Sequence, residues 1–155
     1  IDIRGVGGKS LLDAWQDGPT TFLGVHATGF PNMFMVGGPL SSVGNFGPAL
    51  EYSVEWISDI VKFMTENDLQ RIDVKPQHQD AWMAYARACA AKVLASQVES
   101  WFTGINRNVD GHDKSRVVLL SASAADYRVT CDAIKRGGYQ EFVLDREGGG
   151  ERMAG

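Results

Sequence analysis

The chain has 155 residues, 44% hydrophobic and 22% charged, enough for one core and too few for two ordinary domains. Fifteen basic against nineteen acidic side chains leave a net charge of −4, which gives no electrostatic footprint for nucleic acid and no membrane-surface patch. No run approaches the roughly 18–20 apolar residues of a bilayer span, and 4 Trp, 4 Tyr and 7 Phe argue against disorder.

The first residue is Ile1, and no basic segment followed by an apolar one marks a targeting signal. Two cysteines, Cys89 and Cys131, are too few for a disulfide framework and fit a reducing compartment, so the expected setting is cytoplasmic.

Residues 1–31 are rich in glycine and read as loop, with strand character only at 21–25. Residues 33–36 (Met-Phe-Met-Val) form a short apolar run between Pro31-Asn32 and Gly37-Gly38-Pro39, which suits a strand buried on both faces of a parallel sheet. After the turn, Pro48 fits the first turn of a helix reaching about Asn67. Leu50, Val54, Ile57, Val61 and Met64 give it one apolar stripe, with Glu51 and Glu55 as partners of its positive end.

Residues 67–77 read as a polar connection. A second helix is expected over about 79–98, with Trp82, Tyr85, Ala86, Cys89 and Val93 inward. Residues 99–115 lack periodicity and form a long loop. A short buried strand at 117–120, a third helix from Ala124 to Arg136 with Tyr127, Cys131 and Ile134 inward, and a strand at 141–144 would close a βαβ unit. Gly137-Gly138 ends that helix, and the Gly-rich tail 145–155 is expected to be disordered.

The strand, glycine turn and helix at 33–64 are the most informative feature. Glycines admit a ligand close to the backbone, and a helix start attracts negative charge; the same pattern also serves an ordinary strand-to-helix connection. Asp110-Gly111-His112-Asp113 offers one imidazole and two carboxylates without the spacing of a zinc site or the ligand count of a calcium loop, so a solvated loop is favoured and no metal is expected. Both cysteines fall on inward faces and read as inert thiols. Ser41-Ser42 and Ser121/Ser123 read as turn residues, without a nucleophile elbow. Trp101 presents a flat indole within a Gly/Asn-rich loop, either as a face for a ribose or nicotinamide or as a plug holding the loop on the core.

In order along the chain, Gly29-Phe30-Pro31-Asn32-Met33-Phe34-Met35-Val36-Gly37-Gly38-Pro39, Val54-Glu55-Trp56-Ile57-Ser58-Asp59, Ser100-Trp101 with Gly104 and Asn106, Asp126-Tyr127-Arg128 and Gly138-Tyr139-Gln140-Glu141-Phe142-Val143-Leu144 resemble the C-terminal part of the flavin-dependent Baeyer–Villiger monooxygenases. The opening Ile1-Asp2-Ile3-Arg4-Gly5 is similar to the stretch just after that family's last Ala-Thr-Gly signature. The likeness covers about residues 1–144.

The resemblance implies an α/β fold, the C-terminal portion of a flavoprotein with two dinucleotide-binding domains, one for FAD and one for NADP. Residues 1–66 would end the FAD-binding domain, and 67–144 would hold a helical segment, an NADP-side loop and the closing βαβ unit. The family's dinucleotide loops and catalytic arginine lie upstream, so no catalytic residue is assigned here and the fragment alone is expected to be inactive. By the same resemblance Gly38, Pro39, Asn45 and Phe46 would lie against FAD and Trp101 would contact NADP. Val43, Gly44 and Phe46 would line the pocket for the ketone. Several relatives carry a bulkier aromatic where Val43 stands, which implies a roomier pocket.

Two stretches depart from the family pattern. Residues 106–114 are longer than the usual segment, and Ser121-Ala122-Ser123-Ala124 stands where Gly-Gly is common. The implied reaction inserts one atom of O2 beside a ketone carbonyl at the expense of NADPH. The missing N-terminal part of the same polypeptide would be the fragment's partner. A fragment of an N- or S-oxidising flavin monooxygenase, a small non-catalytic α/β binding module and a truncated inactive product stay open as alternatives.

Overall fold

The computed structural model describes residues 1–42, 44–94, 98–100, 103–109 and 113–146. Val43, Trp101, His112 with its neighbours Asp110 and Gly111, and the tail beyond 146 therefore lie outside the described residues.

A 3₁₀ turn at Val6–Gly8 leads into a short helix, α1 (Leu11–Ala14), whose start is capped where Ser10 Oγ accepts the Asp13 N–H at 3.5 Å. Next come the long helix α2 (Phe46–Glu66), strand β1 (Arg71–Val74), helix α3 (Pro76–Ala90), helix α4 (Ala124–Arg136) and strand β2 (Phe142–Asp145). β1 and β2 pair antiparallel, with Ile72 opposite Leu144 and Val74 opposite Phe142. Parallel pairing is limited, among the described residues, to a single bridge between Ser42 and Leu120.

One apolar core joins these elements. Trp56, Ile60 and Met64 of α2 meet Tyr127, Cys131 and Ile134 of α4 together with Ile72, Trp82, Tyr139 and Phe142. Fully buried side chains such as Ile60, Ile72 and Leu120 each stabilise the fold by about 1.5–3 kcal/mol. Trp56 Nε1–H donates to the Cys131 carbonyl at 3.1 Å, tying α2 to α4. Lys135 and Asp59 pair across the same seam near the surface.

Several expectations need correction. Residues 33–36 form no strand: Met35 N–H donates to the Val25 carbonyl at 2.9 Å, but Val36 is exposed, and an apolar run becomes a strand only beside a neighbour that offers a full ladder. Residues 21–25 form a tight turn instead of a strand, with Leu23 and Gly24 at positive φ and one bridge from Phe22 to His26. Residues 117–120 likewise carry only the Ser42–Leu120 bridge, so the βαβ unit of a self-contained module is not formed.

The stretch read as a polar connection holds β1. Its Asp73 is buried because the carboxylate accepts the Gly29 N–H at 3.0 Å and faces His26 Nε2 at 3.5 Å. α3 begins at Pro76 and ends at Ala90, short of the expected 98, and Tyr85 is exposed. Asp145, assigned to the tail, closes β2 opposite Arg71. Glu51 and Glu55 are exposed and stand beyond the first turn of α2, where a dipole interaction fades.

The apolar face of α2 is rotated from the expected stripe. Ser53, Trp56, Ile60 and Met64 are buried, while Val54 is 47% and Val61 45% exposed. The helix carries apolar side chains on two adjoining faces, and the one with Trp56 wins because its indole finds a carbonyl on α4.

Other readings hold. Asn67 caps α2 at its C-terminal end, and α4 has the expected bounds and inward residues. Ser123, read as a turn residue, is instead the cap of α4, its Oγ accepting the Asp126 N–H at 3.1 Å and donating to Asp126 Oδ2 at 2.7 Å.

Candidate functional site

Residues 37–42 turn back on the chain ahead of α2, and the chain supports them from behind. Thr21 Oγ1 donates to the Pro39 carbonyl at 2.9 Å, and Leu40 N–H donates to the Val118 carbonyl at 3.1 Å. Leu40 itself is fully buried with φ 65°. At Gly38 a Cβ would fall 2.4 Å from the Gly24 carbonyl oxygen and 2.8 Å from Met35 Cβ, so only glycine fits the junction. Gly37 takes φ 61°, the left-handed region that glycine enters without cost.

In front of the bend the wall is open. A cavity of about 480 Å³ lies between the bend, the first two turns of α2, Leu119 and Tyr127. Its wall includes Gly38, Pro39, Gly44 and Phe46, so four residues singled out from the sequence meet on one surface. A side chain added at Gly44 would meet nothing within 4 Å. Phe46 is 74% exposed at the rim. Asn45 is the N-cap of α2, its side chain makes no capping bond, and it lines a smaller adjoining cavity of about 100 Å³ with Tyr52 and Arg128.

The first intrahelical bond of α2 runs from the Ala49 N–H to the Asn45 carbonyl at 3.2 Å. The N–H groups of Phe46 and Gly47 precede it and Pro48 has none, so among the described residues the helix presents two donors and the positive end of its dipole beside the cavity. This arrangement suits an electron-rich edge of a bound molecule.

Sequence reasoning missed Leu50, Ser53, Leu119 and Tyr127 in the wall. The signal for two of them was present: Phe46, Ala49, Leu50 and Ser53 recur at helical spacing on one face. Tyr127 was assigned to the core, and it serves both, donating its hydroxyl to the Leu23 carbonyl at 2.8 Å. Burial raises its pKa above the usual phenol range, which keeps that proton in place. Burial also pushes the Cys131 thiol up to about 12, in agreement with an inert cysteine.

His26 is fully buried and does not line the cavity; Phe34 and Phe142 stand edge-on to its ring. Among the described residues no cluster of His, Cys, Asp and Glu could hold a metal ion. A wider cleft of about 610 Å³ between α3 and α4, lined by Trp82, Tyr85 and Val129, contains none of the bend residues. No helix among the described residues is long and apolar enough to cross a membrane.

No family model matches the chain. Curated relatives do. A phenazine N-monooxygenase of Lysobacter antibioticus is 37% identical over 93% of the chain, and a Baeyer–Villiger monooxygenase of Pseudooceanicola batsensis is 36% identical over 94%. Among solved structures, cyclohexanone monooxygenase from Rhodococcus sp. Phi1 bound to NADP+ superposes with a TM-score of 0.88 at 34% identity over 94% of the chain. OTEMO in complex with FAD and NADP superposes at 0.83 with 27% identity over 93%. The chain spans about a quarter of the length of these relatives, 26% of each curated protein and 26–27% of the solved chains.

Proposed function

The chain belongs to the flavin-dependent Baeyer–Villiger monooxygenases, of whose length it spans about a quarter, and from that premise we propose that it supplies one wall of the flavin and ketone site of an NADPH- and O2-dependent monooxygenase. The observation that carries the proposal is the open cavity of about 480 Å³ in front of Gly38 and Pro39, beside the two N–H groups that precede the first intrahelical bond of α2.

These residues fit an isoalloxazine. A planar ring needs an open, mostly apolar wall, and the cavity in front of Gly38 and Pro39 provides one. The ring's pyrimidine edge gains negative charge on reduction, and the positive end of a 21-residue helix stabilises charge there. When bound, FAD would accept hydride from NADPH and activate O2, so that one oxygen atom enters beside the ketone carbonyl and gives an ester or lactone. Gly38, Pro39, Asn45 and the Phe46 backbone would hold the ring, while Gly44, the Phe46 side chain and Val43 would shape the ketone pocket. Trp101 would clamp NADP.

In this reading residues 1–66 end the FAD-binding domain and 67–144 carry the NADP-side loop, in a cytoplasmic enzyme. The exposed Val54 and Val61 on α2, together with Val36, support it as surface that the rest of the polypeptide covers. A second reading is N-oxidation, favoured by the phenazine N-monooxygenase among the relatives. One assay separates the two: the parent enzyme, given NADPH and ¹⁸O2, forms a labelled ester or lactone from a ketone in the first reading and a labelled N-oxide from an aromatic amine heterocycle in the second. Neither product, with FAD bound, contradicts both.

A further inference from the structure

A second cavity, of about 260 Å³, lies between the end of α3 and residues 115–121. Arg87 and Arg116 both line it, with the exposed Ser115 and Ser121, and among the described residues no Asp or Glu is on its wall. The two cations come from different elements. Arg116 is half-buried; its Nη2 donates to the Gln16 carbonyl at 3.1 Å and its backbone N–H to the Thr103 carbonyl at 2.7 Å, which holds it on the wall. Arg87 is exposed, and its side chain makes no hydrogen bond or ion pair among the described residues.

A basic residue in the last turn of a helix commonly serves the carbonyls there. In α3 those carbonyls are already engaged: Arg87, Cys89 and Ala90 accept the N–H groups of Ala91, Lys92 and Val93 at 3.0, 3.1 and 3.2 Å. Two like charges on one cavity wall repel each other, and an anion between them turns that repulsion into attraction. The guanidinium fork matches the two oxygens of a carboxylate or phosphate.

The space is smaller than the roughly 300–1,000 Å³ of pockets that enclose a whole small molecule, so it suits the charged end of one. Leu119 lines both this cavity and the 480 Å³ cavity, so the two adjoin at that residue. The cofactor's phosphates are served by the dinucleotide loops that family likeness puts upstream, which leaves the substrate as the source of the anion. Resting on the reading of the larger cavity as the flavin and ketone site, we propose that Arg87 and Arg116 bind an anionic group on the ketone, so that ketones with a carboxylate or phosphate tail are preferred to neutral ketones of the same skeleton.

The test uses the FAD-loaded parent enzyme with a matched pair, 3-(4-oxocyclohexyl)propanoate and its methyl ester, which differ in charge at the end of the tail. The ratio of kcat/KM for the acid to that for the ester is compared between the wild type and Arg87→Gln, Arg116→Gln, Arg87→Lys and Arg116→Lys, so that intrinsic ketone reactivity cancels. The wild type should prefer the acid. The ratio is expected to fall by about two- to fivefold in Arg87→Gln, whose side chain is exposed, and by about three- to tenfold in Arg116→Gln; the lysine variants, which keep the charge, should lose less. Raising the salt from about 0.05 to 0.5 M should lower the wild-type ratio by screening and leave the ratio of the glutamine variants nearly level. A wild type without preference for the acid, or a ratio unchanged in both glutamine variants, overturns the selection and leaves the monooxygenase reading intact. So does a change confined to the KM for NADPH, which would give the anion site to the cofactor. Failure of the wild type to convert either ketone to its lactone overturns that reading, and the inference with it.

Discussion

The hydroxyl of Tyr127 donates to the carbonyl of Leu23 at 2.8 Å, across 104 residues of sequence. The bond fastens α4 to the tight turn whose Gly24 carbonyl backs the bend at Gly38, so a core tyrosine fixes the position of the cavity wall. Tyr127→Phe keeps the ring and leaves the Leu23 carbonyl unpaired, which should cost about 1–3 kcal/mol. Urea unfolding of the chain measures it; a change below about 0.5 kcal/mol would mean that the bond does not hold the turn.

The pH dependence of stability has a defined sign. Burial raises the folded-state pKa of the Cys131 thiol to about 12 and raises that of Tyr127 as well. Both groups stay neutral in the folded chain, while the unfolded chain loses its thiol and phenol protons at their lower, ordinary values. Their contribution is therefore full below about pH 8.5 and is lost as the pH climbs toward the folded-state values. Urea midpoints at pH 7, 8, 9.5 and 10.5 should be level over the first pair and fall over the second. Rising midpoints above pH 9 would contradict the burial of both groups.

Two glycines of the bend should respond in opposite ways. Gly38→Ala places a methyl 2.4 Å from the Gly24 oxygen, and overpacking of this kind costs about 1–3 kcal/mol. Gly44→Ala meets nothing within 4 Å and should change stability by less than about 0.5 kcal/mol. Thermal melts of the two variants side by side decide it; equal losses would mean that the close approach at Gly38 is not what the bend requires.

How much of this was legible in the residues differs from element to element. α4 could be bounded from sequence because the apolar spacing of Tyr127, Cys131 and Ile134 and the Gly137-Gly138 stop agree, while Ser123, read as a turn residue, proves to be its cap. The bend residues Gly38, Pro39, Gly44 and Phe46 were legible from glycine content and family likeness, and they share one cavity. β1 was hidden because Arg71 and Asp73 look like surface residues, and only long-range contacts with the Gly29 N–H and His26 make Asp73 a buried one. The apolar run 33–36 misled in the other direction, since pattern cannot say whether a partner strand is at hand. For α2, Leu50 and Val54 mark one possible face and Trp56 and Ile60 another. The choice between them belongs to tertiary contacts with Cys131 and Tyr139, which periodicity does not encode.

By family likeness we propose that Trp101, which lies outside the described residues, clamps NADP. Trp101→Ala in the parent enzyme should raise the KM for NADPH by about tenfold, the loss expected when one stacked base face is removed, and leave the FAD content unchanged. An unchanged KM with normal coupling of NADPH to product would remove the assignment.

The account depends on the bend at 37–46 lying against the flavin. Cysteine protection in the parent enzyme tests this most directly, because Gly44 opens onto free space and the native Cys89 and Cys131 of this chain are buried. In the apoprotein, Gly44→Cys should react readily with a thiol reagent, and FAD should slow that reaction by about tenfold or more. Equal labelling rates with and without FAD, at a concentration where flavin absorbance shows the site to be filled, would contradict the account.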